Sequence, residues 1–199
     1  MRIRSVGHAF FAATLLGLGV LGLVQGDFGA MWQPVPKEFL LRTLLAYACA
    51  LVLLLSGAGV FWTRASSVAA RLIFAWFAAW LLLVRVPYMF VTFQVNTWWA
   101  AGQMSVMTAA AWVLFVWFGS DGIASRLAFL TGDRGLRLGR ALFGVGLIPF
   151  GIAHFMYMDA TAPLIPAWIP WHVPLAYATG AAFIAGGLAN ITGVWGRLA

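Results

Sequence analysis

Charge is scarce in this sequence: 9% of its 199 residues are charged, against 63% that are hydrophobic. A soluble domain of this length needs far more polar surface, so soluble enzyme and soluble binding classes are excluded. Cys49 is the single cysteine, which rules out an intrachain disulfide, a thiolate cluster and a CxxC redox pair. It lies inside an apolar run, where a small apolar role suits it. There is no P-loop, dinucleotide fingerprint, G-x-S-x-G elbow or H-E-x-x-H helix. Sustained period-2 alternation is also missing, which argues against a β-barrel.

What is present is long apolar runs, 11 Trp and 16 Phe. At about 20 residues per span, the length suits six or seven transmembrane helices and no sizeable soluble domain. The runs predict helices over 6–26, 39–62, 70–93, 97–118, 137–158 and 172–194, an all-α polytopic helix bundle forming a single transmembrane domain over 1–199. Met1–Gly26 shows no obvious cleavage site and reads as a retained signal anchor.

The connections alternate in charge. Arg2, Arg4, Arg64, Arg71, Arg126, Arg134, Arg137, Arg140 and Arg197 fall on one side. The other side has Lys37 and Arg42 beside Asp27, Glu38 and Asp159. The positive-inside rule then predicts both termini in the cytoplasm, N-in and C-in. This distribution accounts for the formal charge of +7 without a nucleic-acid partner; the bilayer is the partner it implies.

Trp32, Tyr88, Trp98, Trp99, Tyr157, Trp168 and Trp171 gather at the outer ends of the spans, as an aromatic belt would. Trp76, Trp80 and Trp112 read as mid-membrane residues. Gly22-x-x-x-Gly26, Gly144 with Gly151 and Gly180 with Gly187 supply faces for close helix approach. They predict a tight centre formed by helices 1, 5 and 6.

Helices 1–2 and 5–6 read as a parallel internal repeat. Gly17-Leu-Gly19 followed by Asp27-Phe28 aligns with Gly144-Val-Gly146 followed by His154-Phe155. Leu45-Ala-Tyr47-Ala aligns with Leu175-Ala-Tyr177-Ala, and Ser56-Gly57 with Gly186-Gly187. This alignment makes Asp27 and His154 equivalent.

Few residues can carry chemistry. Arg85 lies well inside the third span, where a charge costs about 2.5–3.5 kcal/mol or more and calls for a partner. Asp27, Glu38 and Asp159 are the carboxylates available on that side. The bland reading is a snorkelling side chain or a bundle clamp. Pro87 can open the helix nearby, and Tyr88 falls on Arg85's face. His154 can hydrogen-bond a carbonyl or relay a proton, or simply tie a loop to the bundle. Tyr157 lies one turn on. The candidate ligand-binding set is Arg85, His154, Asp27, Asp159, Tyr88 and Tyr157. Gln103, Ser105 and Thr108 add polar lining or bond neighbouring helices. His154 and His172 lack the companions of a metal site, and no metal is expected.

Gly151-Ile-Ala-His154-Phe155, Pro166-Ala-Trp168-Ile-Pro170, Tyr177-Ala-Thr179-Gly180 and Gly186-Gly187 resemble the DoxX-like family of small bacterial membrane proteins, over residues 144–190. Many such proteins have four helices, so six would be an extended version. The family often has an acidic residue three after the Thr-Gly; here that place is Phe183. Some relatives are membrane subunits of thiosulfate:quinone oxidoreductases, so the resemblance implies quinone as a cofactor, a redox partner protein and a bacterial inner membrane.

Three readings follow. The first is a quinone- or redox-linked membrane subunit with an outer-leaflet pocket. The second is a binder or carrier of a lipid or small hydrophobic molecule, held between helices 1, 3 and 5. The third is a scaffold or assembly factor whose outer Trp/Pro loops engage a partner.

Overall fold

A computed structural model of the chain describes residues 5–29, 32, 35–119, 122 and 125–194. Six of its helices are long and apolar enough to cross a membrane: α1 (Val6–Gln25), α2 (Arg42–Phe61), α3 (Ser66–Val91), α4 (Val95–Gly119), α5 (Gly132–Met156) and α6 (His172–Thr192). There is no strand among the described residues. Helices of 20 to 26 residues reach about 30–39 Å at 1.5 Å per residue, enough for a hydrocarbon core of about 30 Å. The chain is an all-α, multi-pass membrane protein.

Local chemistry sets the helix ends. The Ser5 hydroxyl accepts the His8 N–H at 3.2 Å and caps α1. Gly26, at φ 65°, closes it with its N–H on Gly22 O, in a left-handed conformation that glycine adopts cheaply. Two starts lie four or five residues earlier than expected. α3 begins at Ser66 instead of 70, and α5 at Gly132 instead of 137. Their first turns contain Ser66, Ser67, Asp133 and Arg134, which hydropathy excludes although their backbone is helical. α5 stops at Met156, and a separate helical turn follows over Met158–Thr161.

Two spans contain π-helical turns, Leu81–Arg85 in α3 and Phe115–Gly119 in α4. The first ends two residues before Pro87, whose ring displaces the carbonyl four residues back, at Leu83. A widened turn absorbs that conflict without breaking the span.

The chain divides into two compact units. One comprises Met1–Trp80 and Ala110–Leu136, the other Leu81–Ala109 and Arg137–Ala199. In the first, Ala12, Val60, Ala69, Ala70 and Leu114 form a core flanked by Phe11, Phe61 and Phe118. Trp32 belongs to this unit's interior. It is 4% exposed, packs at 5.0 Å on Trp80 and accepts the Trp80 indole N–H on its carbonyl. Trp32 therefore faces protein, with Phe77 also packed on it at 5.8 Å. Trp168 and Trp171 are exposed.

In the second unit, α4 meets α5 where Gly102 faces Gly146, and α5 meets α6 where Gly144 faces Gly187 and Gly151 faces Gly180. These contacts leave no room for a Cβ. Burial nevertheless falls elsewhere than expected: 50% of the α4 window and 44% of the α2 window is buried, against 17% for α1 and for α6. Small residues let two backbones touch, but the touching stripe is narrow and the rest of each helix stays open.

The hairpins α1–α2 and α5–α6 pack alike, in a register the sequence alignment does not give. A Cβ on Gly57 would lie 2.8 Å from Ala12 O and 2.9 Å from Leu16 Cγ. One on Gly187 would lie 2.7 Å from Gly144 O and 3.2 Å from Ile148 Cγ1. Gly19 likewise abuts Ala50 O and Leu54, as Gly151 abuts Gly180 O and Ile184. Ala12, Gly19 and Gly22 thus correspond to Gly144, Gly151 and His154. The equivalence of Asp27 with His154 is corrected by a little over one turn. Glycine and leucine recur at about that interval, so an alignment can slip by a turn and still match.

Candidate functional site

Each of the six candidate residues has a definite place. Asp27 lies just past α1. Its Oδ1 accepts the Phe28 N–H at 2.6 Å and pairs with Arg42 at 2.8 Å. Arg42 also donates to the carbonyls of Val35 and Pro36 and lies over the Phe28 ring. The Phe28 N–H first, and then Arg42, hold the Asp27 carboxyl below its ordinary range, opposed by partial desolvation. Asp27, one of the three carboxylates available on that side, thus belongs to a clamp with Arg42 that closes the α1–α2 connection.

Arg85 is 3% exposed, at the end of the π-helical turn, with Tyr88 one turn on and within electrostatic reach. Their shared face is as the spacing indicates. Tyr88 itself is half-buried. The His154 imidazole lies with Nδ1 2.7 Å from Phe150 O, one turn back on its own helix, and its ring 5.4 Å from Phe183. His154 thus meets an apolar ring at Phe183. Tyr157 marks the break after α5, its carbonyl accepting Ala160 N–H and the Thr161 hydroxyl. Asp159 is exposed. Among the described residues, no group of three His, Cys, Asp or Glu side chains could hold a metal ion.

The second unit contains a cavity of about 560 Å³ that none of these six residues lines. α3 supplies Leu81, Leu82 and Val86; α4 supplies Trp98, Ala101 and Ser105; α5 supplies Val145, Pro149 and Ile152. Helices 3 and 5, expected as walls, supply lining residues; helix 1 supplies none of those described, and α4 does. Physical causes for the hollow are visible in the chain. Gly102 and Gly146 draw α4 and α5 together at one level. The small side chains beside them, at Ala101 and Ser105, do not refill the space.

The cavity wall is almost wholly apolar. Ser105 donates its hydroxyl to Ala101 O at 2.9 Å. Gln94 and Trp98 are the other polar lining residues, with Phe93 edge-on to Trp98 at 5.4 Å. Polarity is therefore concentrated at the Phe93–Trp98 end. Of the polar residues singled out on helix 4, Ser105 lines the cavity, whereas Thr108 bonds back to Met104 O. Gln94 was not legible as a site residue, and the only signal pointing there is the small-residue pattern opposite Gly146.

Comparison of the chain with family models, curated proteins and solved structures gives no match.

Proposed function

We propose that the protein binds an amphiphilic hydrophobic molecule within the membrane, its apolar body in the α3–α4–α5 cavity and its polar end at Gln94 and Trp98. The observation that carries this reading is the cavity itself. Its volume of about 560 Å³ falls in the range of small-molecule sites, about 300–1,000 Å³. An apolar wall with polarity at one end suits a molecule that is apolar along its length and polar at one tip. Lipids and prenylated quinones share that form. The likeness of residues 144–190 to DoxX-like proteins supports a quinone as one member of the class. A redox-linked role has less support, since Arg85 and His154 lie off the cavity wall. The arginine distribution supports a bacterial inner membrane with both termini cytoplasmic.

Val145 lines the cavity yet is 53% exposed, so a larger side chain can fill space there without overpacking a core. Purified protein, extracted and analysed by mass spectrometry, is expected to release a lipid or quinone in near-stoichiometric amount. Val145→Trp is expected to release several-fold less while keeping its helical circular dichroism. Equal amounts from both proteins, or none from the native chain, would refute the proposal.

A further inference from the structure

The packing register of the two hairpins exposes a second cavity, in the first unit. A Cβ on Gly180 would lie 2.8 Å from the His154 Cβ, and one on Gly22 would lie 3.0 Å from the Ala50 Cβ. Each hairpin thus needs a glycine in this pair, but on opposite members. α5–α6 places an imidazole where α1–α2 has no side chain at all. At that pair α1–α2 has a cavity of about 250 Å³, lined by Gly22 and Ala50 and by Leu18, Gln25, Asp27 and Trp32.

The lining specifies what can enter. Asp27 is the one charged residue among the described residues of the wall. Both partners described for its carboxylate, the Phe28 N–H and Arg42, are on Oδ1. Oδ2 remains as an acceptor, so the matching group must donate a hydrogen bond. Trp32 supplies an aromatic ring, which attracts a cation over its face; Arg42, on Oδ1, opposes one, so an incoming cation shares the carboxylate with it. Leu18 supplies apolar wall. Half of the Asp27 side chain surface is open, at 57% exposure, so the cavity can be reached from the end of α1.

We infer that this cavity binds a primary ammonium group, hydrogen-bonded to Asp27 and set against Trp32. It goes beyond the amphiphile reading, since it concerns another unit and another cavity. The volume equals that of about eight waters, so an ethanolamine group enters with water beside it or with the phosphate of a headgroup. Such a group can come from a phosphatidylethanolamine headgroup or from a soluble amine. Phosphatidylcholine has no N–H to give and cannot substitute.

The test uses the full chain in nanodiscs of phosphatidylcholine, of phosphatidylcholine mixed with phosphatidylethanolamine, and of phosphatidylcholine with ethanolamine in the buffer. Binding to the folded state raises the melting temperature by mass action, here by at least about 2 °C. A rise with the phospholipid alone identifies the headgroup as the source; a rise with ethanolamine identifies the soluble amine. The double variant Gly22→His with Ala50→Gly transplants the α5–α6 arrangement into this site and is expected to lose the rise. Leu21→Trp, at a lining position that is 48% exposed, is a second filling variant should the first fold poorly. No rise in any arm, or the same rise in native and filled proteins, would overturn the inference.

Discussion

Gly186 and Gly187 are neighbours in one helix, and alanine at each is expected to have opposite effects. A Cβ on Gly186 would meet only Leu147 Cδ1, at 3.8 Å, an ordinary contact. One on Gly187 would lie 2.7 Å from the backbone oxygen of Gly144, 3.2 Å from Ile148 Cγ1 and 3.5 Å from Leu147 Cβ. The nearest obstacle is backbone, so no rotamer change relieves it, and α5 and α6 must separate. A gap of about 0.5–1 Å forfeits a quarter to a half of each dispersion contact along the stripe. The cost is that of overpacking, about 1–3 kcal/mol. Gly186→Ala removes a flexible residue from a helix and is expected to range from neutral to about 1 kcal/mol stabilising. Reversible unfolding in mixed micelles of rising dodecyl sulfate fraction measures both. The packing argument fails if the two variants agree within about 0.5 kcal/mol, or if Gly186→Ala is the more damaging.

Acid should loosen the α1–α2 connection. The folded state lowers the Asp27 pKa, so its contribution is present above the unfolded value and lost as pH falls through the folded one. Native protein is expected to lose melting temperature below about pH 4, and Asp27→Asn to lack that part of the loss. Trp171 has φ 62° and ψ 46°, a left-handed conformation that costs a non-glycine residue about 1–2 kcal/mol. Trp171→Gly should therefore raise stability in detergent by about that much; a fall would mean that the exposed indole makes a compensating contact. Periplasmic-versus-cytoplasmic reporter fusions are expected to place the carboxy terminus in the cytoplasm and the 159–170 connection outside. The opposite pattern would refute the orientation drawn from the arginines.

Much of this fold is legible without coordinates, because a bilayer imposes strong local rules. Spans must be long and apolar, and both properties are written residue by residue. Hence the six helices, and the shared face of Arg85 and Tyr88, follow from composition and period alone. The candidate site was less legible. Arg85 and His154 attract notice because polar residues are rare in apolar spans, yet the His154 Nδ1 bonds no further than Phe150 O, one turn back on its own helix. The cavity walls, by contrast, are Leu, Val and Ile, which carry no chemical label.

The apolar runs that open the case for a membrane protein were decided by the sequence, as were the helix count and the scarcity of reactive groups. Each depends on single residues or on spacing along one helix. Which glycine of Gly186-Gly187 touches a backbone, which turn of α1 matches His154, and where α3, α4 and α5 leave a hollow were decided only by the tertiary structure. These depend on the distance between helices far apart in the chain. A shift of one turn leaves a pattern of Gly, Ala and Leu almost unchanged while it moves every contact.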